Sequence, residues 1–221
     1  MAVAIITGAS RGLGLALARG LSEAGWELVV DARGADELRT AREQLPGPVT
    51  ALPGDVTDPA HRAELVAAAD RLGGVDLLVN NAGVLGPSPQ PALARYPLEV
   101  LRQVYEVNVL APLALTQLAL TSLRRNGGAV ANITSDAAVR PYEGWGGYGS
   151  AKAAVEQLSR ILAAEEPGLR VWAVDPGDLR TRMHQEAFPG EDISDRPLPE
   201  TVLPAFLRLL ADRPESGRVK L

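Results

Sequence analysis

The chain has 221 residues, a formal net charge of −5 and no cysteine. That length supplies one sizeable core, the missing thiols exclude disulfides and thiolate metal sites, and the acidic balance argues against nucleic acid or an anionic membrane as main partner. His61 and His184, the only histidines, lack metal-ligand spacing and are expected on the surface or in loops. Strand-like residues begin at Ala2, which leaves no room for a signal segment before the fold and gives the expectation of a cytoplasmic protein.

Ala2-Val3-Ala4-Ile5-Ile6 is a continuous apolar run of the kind a parallel strand covered on both faces requires. Thr7-Gly8-Ala9-Ser10-Arg11-Gly12-Leu13-Gly14 follows at once, and Leu13, Leu17, Leu21 and Ala24 then form a helical stripe stopped by Gly25. A strand, a glycine turn and a helix in that order give close backbone approach and a helix N-terminus, the two things a pyrophosphate needs. Glu27 to Arg33 reads as the next strand, completing a βαβ unit. An acidic group at its end would bind a ribose 2′-hydroxyl and an arginine would accept a 2′-phosphate. Asp31 and Arg33 pull opposite ways there, and pattern alone does not choose between them. Arg11 adds a cation on the phosphate side and tilts the reading to NADP(H), with NAD(H) as the alternative.

Leu38, Ala41 and Leu45 predict a short helix ended by Pro46-Gly47-Pro48, and Val49 to Leu52 a third strand. Asp58 or Thr57 caps the next helix, with Pro59 at its first position and a stripe of Ala63, Val66 and Ala67. Asp76 to Asn80 is a fourth strand, ending in the turn-forming pair Asn80-Asn81. Beyond the stiff connector Gly86 to Pro91, a helix runs from about Leu98 to Leu123, with Asn108 marking a bend or an outside hydrogen bond. Its longest uncharged stretch, Val107 to Leu123, falls short of a membrane span and reads as a largely buried helix. Ala129 to Ile133 and Arg170 to Val174 are further strands, Leu203 to Leu210 a last helix, and Gly217 to Leu221 a short edge strand. Residues 178–199, with Pro189, Gly190 and Pro197, are the least regular part and read as a substrate loop. No repeat or second-domain boundary interrupts this α/β pattern.

Tyr148 and Lys152 lie four apart in a segment with Ala151, Val155, Leu158 and Leu162 at helical spacing, so they share a face. A phenol of pKa ~10 beside an ammonium is expected to become a better acid, able to exchange a proton with a substrate oxygen. Ser135 follows a buried strand, and its hydroxyl would project where open α/β sheets hold their ligands.

Thr7-Gly8-xxx-Gly12-x-Gly14, Asp55-Val56, Asn80-Asn81-Ala82-Gly83, Asn108, Ser135, Tyr148-xxx-Lys152 and Pro176-Gly177 together resemble the short-chain dehydrogenase/reductase family. The resemblance implies one doubly wound Rossmann domain over 1–221, with a mostly or wholly parallel sheet of about seven strands and helices on both faces. It makes Tyr148 the general acid or base and Ser135 the hydroxyl that holds a substrate carbonyl. Lys152 would tune the phenol and bind the nicotinamide ribose, and Asn108 would hold a water in the proton path. The pyrophosphate side would be lined by Gly8, Ser10, Arg11, Gly12, Leu13 and Gly14. Asp55 and Val56 would meet the adenine, Asn80, Ala82 and Gly83 the ribose region, and Pro176, Gly177 and Thr181 the nicotinamide end. In the family's alignment the acidic position that selects NAD falls at Ala32, and the arginine that suits NADP(H) at Arg33.

Arg140 to Trp145, Ala163 to Pro167 and Pro176 to Met183 are similar to the sepiapterin-reductase-like branch, which reduces ketones or diketones with NADPH. The resemblance thus implies an NADP(H)-dependent oxidoreductase acting on a small carbonyl or secondary alcohol. The alternatives are an idle nucleotide-binding sensor or scaffold, and an epimerase or lyase that keeps its nicotinamide bound. Apolar faces around Leu110 to Leu120 and Ala151 to Leu162 fit either packing within the monomer or a homodimer or homotetramer, as the family implies.

Overall fold

Strand β1 (Val3–Ile6) is buried along its whole length, and its period-two alternation feeds two separate helix layers. Ala4 and Ile6 join one core cluster; Val3 and Ile5 join the other. The computed structural model, which describes residues 1–221, shows how this strand comes to be covered on both sides. Strands β2 (Glu27–Ala32), β3 (Val49–Pro53), β4 (Leu77–Asn80), β5 (Ala129–Ile133), β6 (Arg170–Asp175) and β7 (Gly217–Lys220) join it in a seven-stranded sheet. The order is β3-β2-β1-β4-β5-β6-β7, and every pairing is parallel. The α/β expectation holds, and the winding reverses between β1 and β4, which opens a crevice above their C-terminal ends.

On one face, helices α1 (Gly12–Glu23), α2 (Ala35–Arg42) and α8 (Leu203–Asp212) bury Leu17, Leu21, Leu38 and Phe206 against Ile6, Val30, Val79 and Trp172. On the other, α3 (Pro59–Arg71), α5 (Ala111–Asn126) and α6 (Gly146–Glu165) cover Val3, Ile5, Leu78 and Val130. Two shorter helices, α4 (Leu98–Tyr105) and α7 (Arg182–Ala187), flank the crevice. Residues 178–199 therefore contain a helix that the irregular sequence did not announce.

Three expectations need correction. The buried stripe of α3 is Leu65, Val66, Ala68 and Ala69, whereas Ala63 and Ala67 face outward. The small alanines left the phase of that helix open, and Leu65 fixes it. Next, α4 and α5 are joined through a π-helical turn at Glu106–Leu110 into one run, Leu98–Asn126, that is 29 residues long and apolar enough by length and composition to span a membrane. Leu115, Ala119 and Leu123 of that run instead pack on the sheet. Finally, neither histidine is a surface or loop residue. His184 sits on α7 with its ring 4.9 Å from that of Phe188, and His61 is 5% exposed.

His61 is buried for a reason that shapes the crevice. Its Nε2 lies 3.0 Å from Asp31 Oδ2 at the end of β2, and Asp31 Oδ1 accepts the Gly8 N–H at 2.7 Å. The carboxylate thus ties the glycine turn to α3. Gly54 leaves room for the imidazole, since a Cβ there would stand 2.3 Å from His61 Nδ1. The hydrogen bond that the imidazole donates to Asp31, set against burial, raises it above its ordinary pKa of 6.5. A raised folded value means stability that is whole below about pH 6.5 and lost as pH climbs through the folded pKa. His61→Leu should therefore destabilise by about 1–3 kcal/mol at pH 6 in urea unfolding, with a smaller deficit at pH 9. A deficit that stays constant or grows with pH would refute this coupling.

Candidate active site

The crevice above the strand ends is a cleft of about 1510 Å³ that runs from the end of β2 to the loop before α8. On its dinucleotide side the glycine turn is shaped for close approach. Gly8 has φ +66°, and a Cβ on Gly14 would stand 2.3 Å from the Gly8 carbonyl oxygen. Arg11 is the N-cap of α1 and provides no side-chain cap, so the first amides of the helix are left for a ligand. Ser10, Gly12 and Leu13 line the same wall, and Thr181 lies beside Gly12 across the cleft. These features fit a dinucleotide pyrophosphate.

The adenine side is less simple than its residue types imply. Asp31 is spent on Gly8 and His61 and is 1% exposed, whereas Arg33 is exposed on the cleft rim. Arg11 is not free, for its Nη1 lies 3.2 Å from Glu37 Oε2, a neighbour that the sequence reading did not weigh. Asp55 lines the cleft next to Val56 and accepts the N–H and hydroxyl of Thr57. Burial works to raise that carboxyl, but Thr57, Arg33 and His61 bring it below the usual range.

Asn80 departs from its assigned place. Its amide turns inward, donating to Asn132 Oδ1 at 2.8 Å and Thr116 Oγ1 at 3.3 Å, so Asn81 faces the cleft in its stead. Strand alternation explains the swap: the last strand residue points into the helix layer, and the next leaves the sheet. Asn81 Nδ2 donates to the Thr7 and Gly8 carbonyls, and Ala82 N–H to Thr7 Oγ1. Gly83 completes this wall.

Ser135, Tyr148 and Lys152 all line the other end of the cleft. Lys152 Nζ sits 5.4 Å from the Tyr148 ring centroid and donates to the Ile133 backbone oxygen at 2.8 Å. Ser135 Oγ accepts the Ala137 N–H at 3.2 Å and lies 3.3 Å from Asp136 Oδ1, while Asp136 Oδ2 takes the Tyr142 hydroxyl at 2.6 Å. Trp145 packs edge-on against Tyr148, with ring centroids 5.9 Å apart, and Phe188 backs Trp145. Pro176 and Gly177 close the floor, the Gly177 N–H donating to Asp175 Oδ1 at 3.0 Å. Asn108 lies within the π-helical turn and outside the cleft wall, and its amide brackets both backbone groups of Val84 at 2.8 Å.

The expected softening of the phenol is not what the geometry gives. Burial, with Asp175 and Asp136 adding to it, holds Tyr148 above its ordinary range, and burial pushes Lys152 down to about 8. The ammonium lies over the ring, and for a phenol so enclosed desolvation outweighs it. The aromatic wall of Trp145 and Phe188 was missed in the sequence, because the two stand 43 residues apart on different elements.

Residues 2–192 match the family model described as short chain dehydrogenase. Among similar proteins, sepiapterin reductase of Rattus norvegicus is 36% identical over 202 residues, covering 84% of this chain and 77% of that protein. D-beta-hydroxybutyrate dehydrogenase of Rhizobium meliloti is 32% identical over 197 residues, covering 85% and 75%. A solved structure of an alcohol dehydrogenase from the archaeon Thermococcus sibiricus, complexed with 5-hydroxy-NADP, superposes with a TM-score of 0.89 at 32% identity, covering 100% of this chain and 96% of that one. This chain therefore belongs to the short-chain dehydrogenase family, near its sepiapterin-reductase-like branch, and is a nicotinamide-dependent oxidoreductase acting on alcohol or carbonyl groups.

Proposed function

We propose that the enzyme reduces a small carbonyl compound, or oxidises the matching secondary alcohol, with NADP(H), and that Tyr148 is its general acid–base. The observation that carries this is the opening of Ser135, Tyr148 and Lys152 onto one cleft with the glycine turn. When bound, the nicotinamide supplies the hydride. The Ser135 hydroxyl, released from Asp136, donates to the substrate oxygen as negative charge grows on it. Tyr148 gives that oxygen its proton. A phenol held above its ordinary range stays protonated at neutral pH, which suits the acid role in the reducing direction. Lys152 holds the nicotinamide ribose, Thr181 the carboxamide, and Asn108 steadies the Val84 backbone beside them.

The preference for NADP(H) rests on Arg33, exposed at the rim while Asp31 is sequestered, with Arg11 as a second cation that must leave Glu37. The whole of 1–221 acts as one domain, and 178–199 form the substrate loop. The enzyme works in a cytoplasmic setting on a small-molecule partner, a reading that the cleft shared by Ser135, Tyr148 and the glycine turn supports for the partner. Leu110, Leu118 and Ile161 are exposed on the outer faces of the π turn, α5 and α6, which supports a homodimer or homotetramer packed through those helices. Light scattering should give a mass of two or four chains, and a monomer at working concentration would exclude this packing.

Tyr148→Phe should lower kcat by about 10²–10⁴-fold on any carbonyl the wild type reduces, leaving NADPH binding by fluorescence close to normal. Turnover at the wild-type level would remove Tyr148 from the proton transfer. Arg33→Ala should raise KM for NADPH by about 10- to 100-fold and leave KM for NADH nearly unchanged. Equal effects on both cofactors would mean that the 2′-phosphate is held elsewhere.

A further inference from the structure

The final strand returns a guanidinium beneath the reactive end of the cleft. Arg218 on β7 donates through Nε to Glu156 Oε1 at 2.8 Å, and through Nη2 to Asp175 Oδ2 at 2.9 Å and to the Ser135 backbone oxygen at 3.1 Å. Glu156 and Asp175 are each 2% exposed, so two carboxylates are taken from water together. Buried charges of one sign persist only where cations and donors answer them. Arg160 reaches Glu156 Oε2 at 3.3 Å, Thr134 Oγ1 donates to Glu156 Oε1 at 2.9 Å, and Gly177 N–H serves Asp175. Three consecutive residues are thereby pinned by three different side chains: Ile133 by Lys152, Thr134 by Glu156, and Ser135 by Arg218.

We infer that Arg218 is a positioning residue of the reaction, which fixes the backbone carrying Ser135 and the Pro176-Gly177 turn and screens the Asp175 carboxylate from the Tyr148 phenol. This rests on the roles given above to Ser135 and Tyr148. The charged groups around that phenol are Lys152 on its own helix, Asp136 in the turn after β5 and Asp175 at the end of β6, with Arg218 and Glu156 behind Asp175. Burial and these two aspartates already hold the phenol high. Loss of the guanidinium leaves Asp175 unscreened and makes the phenol harder still to ionise. The limb of the kcat/KM profile that Tyr148 controls then moves to higher pH.

The test uses the full chain with NADPH and a carbonyl that the wild type reduces. Arg218→Met should lower kcat by about 10- to 100-fold with little change in KM for NADPH, and should shift that limb upward. Adding Asp175→Asn to Arg218→Met should bring the limb back down, because no charge is left to screen. Arg218→Lys keeps the cation but not the fork, so it should keep the wild-type profile and recover part of kcat. A folded Arg218→Met with normal kcat and an unmoved limb overturns the inference. If Arg218→Met does not fold, Arg218→Gln, which keeps a donor without the charge, decides: a lowered kcat with the limb moved up supports the role, and a normal kcat with an unmoved limb overturns it. Tyr148→Phe serves as control, for if it retains turnover the functional reading has failed and not the role of Arg218.

Discussion

A buried ammonium holds α6 to the end of β5, and the reactive end of the cleft is arranged around it. Lys152 is 4% exposed and hydrogen-bonds the Ile133 carbonyl oxygen at 2.8 Å, which fixes Ser135 two residues onward and Tyr148 one helical turn back. The fall in its pKa from 10.5 to about 8 corresponds to about 3 kcal/mol acting against the charged form. The bond to Ile133 offsets part of that cost and ties the helix to the strand end.

Beneath the cleft, polar groups do what apolar packing cannot, since they set register as well as proximity. Asn80 donates to Asn132, Asn132 to Ser159, and Ser159 to the Val155 carbonyl, a chain that crosses β4, β5 and α6. Each member is buried and partnered, so a shift of any one element strands several donors at once. Thr7 acts similarly on the dinucleotide side, its hydroxyl accepting from both Asn81 and Ala82 at 3.0 Å. The two ends of the cleft are therefore fixed through their floors by buried hydrogen bonds.

Local order was legible in the sequence wherever one element carried the signal. The apolar run before Gly8, the proline opening α3, and Tyr148 with Lys152 on one helical face each follow from spacing alone. What could not be read were pairings between distant positions. Asp31 and Arg33 pulled opposite ways at the end of β2, and only the folded chain shows His61, thirty residues on, and Gly8 occupying both oxygens of Asp31. Nor could spacing tell that Lys152 would lie over the Tyr148 ring in an enclosure where desolvation rules. The partners of Arg218 lie 43, 62 and 83 residues away, beyond any periodicity.

The strand order has a consequence for synthesis. Strand β1 pairs on one flank with β2, which follows within about 25 residues, but its other flank waits for β4 at Leu77. Until then a nascent chain presents a fully apolar strand with an open backbone edge, the kind of surface that recruits unwanted neighbours. Pairing of β1 on both flanks thus waits until the chain has reached β4, so closure of the sheet's centre depends on a contact about seventy residues distant in sequence.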